Sequence, residues 1–293
     1  MIYVICGPTG SGKTQASLQL AAFLHAPIIN ADAFQIYRDM NIGTAKISSQ
    51  NPEYSNHYLL DIISPDQSFS VKEYQQLFRQ TIDSLTKKYS NIIVVGGTGL
   101  YIRASLYDYV FEEHEPDDTS DLDHLSNQEL WDLLKTLDEN SLTSLHPNNR
   151  KRVIRAISIA RTNLESKSEN IQKQEHKIIY PDVNIYFINP PRDNLYENIN
   201  KRVDEMFDLG LVKEVEDLLV KYHLSLTASQ AIGYKEVIDY LSHKISLEEC
   251  RDLIKQRTRN YAKRQVTFFK HQFDSEEFIS GDELVKAIRK NGK

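Results

Sequence analysis

The stretch GPTGSGKT, residues 7–14, decides the fold of this 293-residue chain. It fits the pattern G-x-x-x-x-G-K-[ST], and it lies between an apolar run at 2–6 and an Ala/Leu-rich segment at 13–25, where a strand and a helix are expected. In that context the glycines let backbone N–H groups surround phosphate oxygens, and the helix N-terminus adds the positive end of its dipole. Lys13 supplies a cation, and the Thr14 hydroxyl can reach Mg²⁺. The stretch therefore predicts a P-loop for a phosphorylated compound, and it does not distinguish ATP, GTP and a diphosphate ester.

Strands and helices alternate on the C-terminal side of the P-loop. Apolar runs at 26–32 (APIINAD), 58–63 (YLLDII) and 92–97 (IIVVGG) are typical of buried strands, and residues 71–88 have the spacing of an amphipathic helix. Strands that alternate with helices predict a parallel sheet that is covered on both faces. The expected fold is α/β, with a P-loop NTPase-like core whose parallel sheet is flanked by helices.

The pattern changes after residue 110. An acidic, loop-like stretch is followed by helical patterns, and the polar segment at 165–177 is expected to be a mobile part of the surface. A strand is predicted at 183–189, and helical patterns then continue almost to the end. We expect a core formed by residues 1–110 and 181–293, with a mainly helical insertion domain at 111–180.

Composition limits the classes of protein to consider. The chain has 40% hydrophobic and 26% charged residues, as expected of a soluble globular protein. Its two cysteines, Cys6 and Cys250, indicate free thiols in a reducing cytosol rather than a disulfide framework or a metal cluster. We expect neither a signal peptide nor a membrane span, which needs roughly 20 apolar residues, and therefore a cytoplasmic location. The net charge of −6 argues mildly against a nucleic-acid partner, unless basic residues cluster locally.

A second polar group follows the second predicted strand. Asp32 stands at the expected carboxyl end of that strand, where ligands of open α/β sheets bind, and we expect the strand to lie beside the P-loop strand. Its carboxylate could hold Mg²⁺ through water or accept a proton, and the alternative is that it caps a turn. Gln35 carries an amide able to pair with a base edge, and Lys46 is a further cation.

The predicted strand at 92–97 ends without an acid. P-loop enzymes that hydrolyse nucleotides commonly carry an Asp at such a position, where it helps to hold Mg²⁺. Here the strand ends in Gly96-Gly97-Thr98. The carboxylate that is missing from this strand can be supplied by Asp32 on another strand.

Six ordered motifs extend over nearly the whole chain: GPTGSGKT, DAFQIYRDMNIGTAK, VVGGTGLYIRA, HPNNRKRVIRA, QAIGYKEV and AKRQVTFFK. In their order and approximate spacing they resemble the motifs of a known family, the tRNA dimethylallyltransferases. The resemblance implies a fold like that of P-loop kinases, with dimethylallyl diphosphate and Mg²⁺ in the phosphate cradle. It also implies transfer of the dimethylallyl group to the exocyclic amine of adenosine 37, next to the tRNA anticodon.

The resemblance also implies roles in the chemistry. Asp32 matches the family's proposed general base, which takes a proton from the weakly nucleophilic adenine amine as the bond to carbon forms. Thr98 lies in the family's substrate-contacting GGTGLY motif, and Thr14, with Asp32 through water, is the expected Mg²⁺ ligand. Because carbon rather than phosphorus is attacked, no water-activating acid is needed beside the phosphates. Arg202 matches a family arginine near the diphosphate, although alone it is equally typical of a solvated helix. The residues expected to bind the prenyl diphosphate and to stabilise its growing charge are Gly7, Pro8, Thr9, Gly10, Ser11, Gly12, Lys13, Thr14 and Arg202.

The anticodon stem-loop of tRNA is the expected macromolecular partner, met by two basic clusters, by the Asp32 segment and by QAIGYK. The insertion domain would carry the first cluster. Basic side chains contact phosphates and aromatic ones can stack on bases, whereas a charged run on a helix is by itself usually a solvated face. A target base inside the loop would be flipped into the site. The residues expected to contact tRNA are Asp32, Ala33, Phe34, Gln35, Thr98, Lys151, Arg152, Val153, Ile154, Arg155, Gln230, Ala231, Ile232, Gly233, Tyr234, Lys235, Lys263, Arg264, Gln265, Val266, Thr267, Phe268, Phe269 and Lys270.

Two other functions stay open on the sequence alone. A small-molecule or nucleotide kinase would use ATP in the same P-loop, but it would leave the basic C-terminal run without a role. A non-catalytic RNA-binding P-loop protein would leave Asp32 and Thr98 unexplained. A GTPase is disfavoured because the chain contains no Asn-Lys-x-Asp signature. A monomer is expected, since no spare apolar face is evident, and Phe268 departs from the family by replacing its usual Trp.

Overall fold

A computed structural model describes residues 1–111, 118–162 and 177–291 of the chain. It divides the chain into two compact units, one formed by Met1–Leu106 with Tyr180–Lys293 and the other by Tyr107–Ile179. The segment that we expect to be mobile lies outside the described residues, apart from its last residue.

The first unit contains a six-stranded sheet with the order β3-β2-β4-β1-β5-β6, in which every neighbouring pair is parallel. The strand β1 lies in the middle and is buried along its whole length. This confirms the predicted parallel sheet. The strands are β1 (Ile2–Cys6), β2 (Ile28–Asn30), β3 (His57–Tyr58), β4 (Ile92–Gly96), β5 (Val183–Ile188) and β6 (Glu276–Phe278).

Helices follow the strands in the order expected of an α/β core. The two that belong to the second unit are α4 and α5. The helices of the described residues are α1 (Lys13–Leu24), α2 (Val71–Leu85), α3 (Gly99–Leu106), α4 (Asn127–Leu137), α5 (Arg150–Thr162), α6 (Arg192–Asp208), α7 (Leu211–Lys221), α8 (Leu226–Ser229), α9 (Tyr234–Leu241), α10 (Leu247–Gln272) and α11 (Gly281–Asn291).

Both faces of the sheet are covered by helices. Tyr186 of β5 packs into an apolar cluster with Leu20 of α1 and Leu284 of α11. The next residue, Phe187, points to the other face because successive strand residues alternate. Its ring lies 5.6 Å from that of Phe269 on α10. The core therefore extends on either side of the strands, and the loops at their carboxyl ends are held between the helices.

Two strands differ from the prediction. The strand expected at 58–63 is limited to His57–Tyr58, because Leu59 and Asp61 adopt φ values of 62° and 52° that a continuous strand cannot have. The strand Glu276–Phe278 lies in a region that we expect to be helical, and it pairs with the edge of the sheet. Three residues are too few for a period to be recognised in the sequence.

The order of the strands corrects a further expectation. Asp32 follows β2, which pairs with β4 and not with the P-loop strand β1. The loop after β4, which begins at Gly97, therefore lies between the Asp32 segment and the P-loop.

The second unit has an apolar core of its own. Leu130 and Leu134 of α4 pack against Val153 and Ile157 of α5. The helix α4 begins with a capping box, in which the Ser126 side chain accepts from an N–H of the first turn. Across the described residues of both units, every helix is too short or too polar to cross a bilayer.

Candidate active site at the carboxyl edge of the sheet

The P-loop connects β1 to α1 as its sequence predicts. Gly10 and Gly12 have φ values of 82° and 88°, in the left-handed region that favours glycine, and Gly12 is the N-cap of α1. A glycine-rich loop that leads in this way into the N-terminus of a helix is the usual geometry of an anion site. The Lys13 ammonium donates to the Pro8 carbonyl at 2.6 Å and lies at the same edge.

A cavity of about 150 Å³ opens beside the P-loop. Its polar lining contains Lys13, Thr14, Asp32, Gln35 and Arg202, so that the structure brings together residues from three separate segments of the predicted site. Its apolar lining contains Ile47, Ile199, Val203, Met206, Ile232 and Ile254. The cavity therefore suits a ligand with one strongly anionic end and one apolar part.

Asp32 is held by hydrogen bonds at both of its ends. Its N–H donates to Asn30 Oδ1 at 3.2 Å, and its Oδ1 accepts from the Phe34 N–H at 2.9 Å. Burial raises the pKa of the Asp32 carboxyl above its usual value, while the Phe34 N–H and the Lys13 ammonium oppose the rise. The residue thus caps a turn, as the simpler interpretation holds. It also presents to the cavity a carboxylate that is more basic than an ordinary aspartate.

Thr98 ties the loop after β4 to the Asp32 segment. Its Oγ1 accepts from the Ala33 N–H at 3.0 Å, and its own N–H donates to the Ala31 carbonyl at 3.1 Å. These bonds place the hydroxyl next to the residue that follows Asp32. The two residues predicted to act in the chemistry are therefore neighbours across two adjacent strands.

The glycines that precede Thr98 leave no room for the missing acid. A Cβ at Gly96 would lie 2.1 Å from the Ala31 carbonyl oxygen, and a Cβ at Gly97 would lie 2.4 Å from Gln265 Nε2. Any aspartate at these positions would have to displace backbone or a buried side chain. Packing thus excludes a carboxylate here, whatever the chemistry requires.

Two cations lie at the phosphate end of the cavity. Burial, and then the neighbouring Arg202, lower the pKa of Lys13 to about 8, although Asp32 opposes the change. Burial also lowers the pKa of the Arg202 guanidinium. Arg202 lies on α6, and its guanidinium donates to Thr9 Oγ1 at 3.4 Å. Arg202 is therefore part of the cavity wall and not a solvated helix arginine. By contrast, Lys46 is paired with Asp61 at 2.6 Å with only 1% of its side chain exposed, so it is not a free cation.

The segment 41–43 is held by a carboxylate that sequence reasoning overlooked. Glu214 of α7 accepts from the N–H groups of Asn41, Ile42 and Gly43 at 3.0, 2.7 and 3.2 Å, and from the Tyr234 hydroxyl at 2.7 Å. In the sequence Glu214 is one acid of an amphipathic helix, and no local signal distinguishes it. The carboxylate fixes the backbone beside Gly43 and Thr44, which line the cavity.

Gln35 and the motif QAIGYK are only partly directed at the cavity. The Gln35 amide donates to the Thr44 carbonyl at 3.0 Å, so this donor is already used within the wall. Ala231 and Ile232 line the cavity, whereas Tyr234 is buried beneath Gly43, where a Cβ would lie 2.4 Å from its ring. The expectation that the Tyr234 side chain contacts RNA is therefore corrected. Gln230 is exposed, Lys235 is half-buried, and Gly233, at φ 97°, is the N-cap of α9.

The basic run on α10 is divided along the helix. In its first half Arg251 and Lys255 pair with Asp204, Arg257 pairs with Glu236, and Arg259 donates to Asn200. These side chains hold α10 to α6 and α9. In its second half Lys263, Arg264, Thr267 and Lys270 are exposed, and the Arg264 guanidinium lies 5.7 Å from the centre of the Tyr261 ring.

Three residues predicted to contact RNA on this helix pack against other parts of the protein. Phe269 is fully buried, and Gln265 is 5% exposed. Phe268 is half-buried, and a Cβ at Gly99 would lie 2.3 Å from its ring. These side chains face inward because they lie on the stripe of α10 that meets the sheet. Val266 is half-buried beside them.

In the second unit, α5 shows a similar division. Lys151, Arg152 and Arg155 are exposed, whereas Val153 is buried in the apolar core and Ile154 packs against it. The basic side chains thus form one face of the helix, and the apolar ones hold it to α4.

The arrangement of this chain is shared with known proteins. A family model described as IPP transferase matches residues 35–272. A protein of Anoxybacillus flavithermus named tRNA dimethylallyltransferase is 41% identical over 292 residues, which are 99% of this chain and 94% of that protein. A protein of the same name from Exiguobacterium is 42% identical over 279 residues, 93% of this chain and 88% of that protein.

Solved structures give the same result. The tRNA isopentenylpyrophosphate transferase of Staphylococcus epidermidis superposes with a TM-score of 0.73 at 37% identity, over 99% of this chain and 98% of the other. A eukaryotic dimethylallyltransferase described as acting on tRNA superposes with a TM-score of 0.79 at 28% identity, over 91% of this chain and 69% of the other. With the family model matching most of its length and relatives above 40% identity covering nearly all of it, this chain belongs to the IPP transferase family.

Proposed function

We propose that this protein transfers the dimethylallyl group of dimethylallyl diphosphate to the exocyclic amine of adenosine 37 in tRNA. The observation that carries the proposal is a cavity that is lined by P-loop residues, by Asp32 and by a set of apolar side chains. A diphosphate ester with a five-carbon apolar tail matches that cavity at both ends. Membership of the IPP transferase family supports the same reaction class.

In the proposed reaction one bond forms and one breaks at the same carbon. The amine nitrogen attacks the allylic carbon, the carbon–oxygen bond to diphosphate breaks, and diphosphate leaves with the electron pair. Asp32 takes the proton that the amine releases, and its raised pKa makes it a better acceptor than an ordinary aspartate. For Thr98 we propose that its hydroxyl, which accepts from the Ala33 N–H beside Asp32, helps to orient the amine.

The phosphate end stabilises the leaving group. The diphosphate would bind at one end of the cavity. At that end lie the backbone N–H groups of the P-loop, the Lys13 ammonium and the Arg202 guanidinium. Because they are already in place in a partly buried site, they stabilise the negative charge as it grows on diphosphate without costly reorganisation. This is the requirement when the attacked atom is carbon and the phosphorus centre is unchanged.

Mg²⁺ is the metal that we propose for this site. Among the described residues no group of three His, Cys, Asp or Glu side chains could hold a metal by itself. The donors that line the cavity, the Thr14 hydroxyl and the Asp32 carboxylate, are hard oxygen ligands. Such a set fits Mg²⁺, which is usually held by one or two protein oxygens together with substrate phosphates and water. When bound, the ion would neutralise charge on the diphosphate.

For tRNA we propose contacts with the exposed basic faces of α10 and α5. Lys263 and Arg264 supply one face, and Lys151, Arg152 and Arg155 of the second unit supply the other. Each phosphate that these side chains neutralise releases counterions, so affinity should fall with salt with a slope of about −0.7 per contact in single-stranded regions. Neutralising Lys263 and Arg264 together should make the slope shallower by one or two units, and an unchanged slope would place the RNA elsewhere.

The decisive test is one incubation of purified protein with unmodified tRNA and radiolabelled dimethylallyl diphosphate, with labelled ATP in a parallel tube. We expect label from the prenyl donor in tRNA and none from ATP. Asp32→Asn should lower the single-turnover rate by about 10²-fold or more without a matching loss of tRNA affinity. Rapid use of ATP with no prenyl transfer would favour the kinase, and tRNA binding with neither reaction would favour a non-catalytic RNA-binding protein.

A further inference from the structure

The buried amide of Gln265 joins two loops that are remote in the sequence. Its Oε1 accepts from the Thr9 N–H at 2.9 Å, and its Nε2 donates to the Gly97 carbonyl at 2.8 Å. An N–H can only donate and a carbonyl can only accept, so the two partners determine which end of the amide is which. With 5% of the residue exposed, both bonds are sheltered from water.

The two partners belong to different halves of the site. Thr9 lies within the P-loop, and its hydroxyl accepts from Arg202. Gly97 lies between Gly96, which touches Ala31, and Thr98, which accepts from the Ala33 N–H. The Thr9 loop therefore belongs to the phosphate end of the cavity, and the Gly97 loop contacts the Asp32 segment.

We propose that Gln265 is a positioning residue that sets the distance between the phosphate cradle and the Asp32–Thr98 edge. The inference rests on the proposed transfer reaction, because that reaction requires the carbon next to diphosphate and the amine next to Asp32 to meet at one point. Displacement of one loop by about 1 Å would lower the rate by about 10²-fold, because the reacting atoms would be misaligned. Each half would still bind its own substrate.

Neither loop can set this distance without the side chain of Gln265. Gly97 has no side chain, and the space that a Cβ would occupy is taken by Gln265 Nε2, 2.4 Å away. The substitution Gln265→Glu keeps the size of the side chain and one acceptor, but it removes the donor to Gly97 and adds a charge. The substitution Gln265→Leu keeps the approximate volume and removes both hydrogen bonds.

The test compares Gln265→Glu and Gln265→Leu with Gln256→Glu, which makes the same change at an exposed position of α10. We expect the single-turnover rate of prenyl transfer to fall about 10- to 100-fold in both Gln265 variants and to stay unchanged in the control. Dissociation constants for tRNA and for dimethylallyl diphosphate, measured separately, should change by less than about 3-fold, since each substrate has its own contacts.

Hydrogen exchange gives a readout that does not depend on the reaction. The Thr9 amide should exchange faster in Gln265→Leu, which removes its acceptor, than in the wild type or in Gln265→Glu, which keeps an acceptor. Wild-type transfer rates in both variants would overturn the inference. A loss of tRNA affinity equal to the loss of rate would also overturn it, and would indicate that Gln265 contacts RNA. If the wild type itself transfers no prenyl group, the proposed function fails. Unchanged exchange of the Thr9 amide in Gln265→Leu would independently reject the positioning role of Gln265.

Discussion

The two glycine-rich loops at the sheet edge look alike in sequence and differ in physical purpose. In GPTGSGKT, residues 7–14, glycine is needed for conformation: Gly12 has a φ of 88°, and nothing lies within 4 Å of a Cβ built there. In GGTG, residues 96–99, the glycines are outside the left-handed region, and a Cβ would collide with a neighbour at each position. The first loop is open at Gly12, although a Cβ at Gly7 would lie 2.5 Å from the Ile188 carbonyl oxygen, whereas the second loop is closed by the protein at each of its three glycines.

This difference explains why the second loop carries no acid. A strand end that must touch Ala31, Gln265 and Phe268 has no volume for a carboxylate. The acid that we propose for the reaction, Asp32, therefore follows β2, and the closed loop brings the two strand ends together. Composition alone does not separate these cases, since both loops consist mainly of glycine and small polar residues.

The largest effect should come from the open loop. Lys13→Ala removes a cation from the phosphate cradle, and we expect the rate of prenyl transfer to fall by about 10² to 10³-fold, because a preorganised group that stabilises the leaving charge is lost. The free energy of unfolding should not decrease, since Lys13 is partly desolvated. Lys88→Ala, at an exposed position, is the control. A Lys13→Ala enzyme with nearly normal turnover would mean that the open loop does not bind the reacting diphosphate.

Gly96→Ala tests the closed loop. The new Cβ would lie 2.1 Å from the Ala31 oxygen, so β2 and β4 must separate. We expect the free energy of unfolding to fall by about 3 kcal/mol, the upper part of the range for overpacked sites. Denaturant unfolding monitored by circular dichroism measures it. A variant as stable as the wild type would show that the two strand ends can move apart without cost.

The pH dependence of binding should reflect the open loop alone. The pKa of Lys13 is about 8 in the folded protein, so the free enzyme loses this charge as the pH rises through that value. Affinity for dimethylallyl diphosphate should therefore decline above pH 8, by at most about 10-fold per pH unit. Titration calorimetry from pH 7 to 9.5, with Lys13→Ala as the reference for ionisation of the ligand, measures the change. Equal slopes for the two proteins would contradict it.

Stability should respond to the same group in the opposite direction. Because the folded pKa of Lys13 lies below its usual value of 10.5, the unfolded chain binds more protons between about pH 8 and 10.5. The contribution of Lys13 to the free energy of unfolding therefore rises with pH in this window, while affinity for the anion falls.

The smallest effect is expected from Gly12→Ala. Since no atom lies within 4 Å of the added Cβ, the only cost is the left-handed backbone, about 1 kcal/mol. Comparison with Gly96→Ala under the same denaturant conditions sharpens the distinction between a conformational and a packing glycine. If Gly12→Ala were the more destabilising of the two, the distinction would be reversed.

Much of the site follows from local sequence. The P-loop, the α/β alternation and the position of Asp32 after a strand are encoded in short stretches, because glycine conformation and side-chain periodicity depend on neighbours in the chain. Asn30, the polar residue at the end of β2, is not singled out by the sequence, although its side chain accepts from the Asp32 N–H. The strand order was not readable, and the expectation that Asp32 lies beside β1 is wrong because β4 lies between them.

The sequence by itself thus determined the phosphate cradle, the fold class and the acid that faces the cradle. Only the tertiary structure decided which residues of α10 face inward. The sequence predicts RNA contact along the whole segment 263–270, but in the structure Arg264 is exposed, whereas Gln265 and Phe269 are buried. The physical reason is distance along the chain. Gln265 meets Thr9 across 256 residues, and a hydrogen bond between such remote partners leaves no local pattern in either segment.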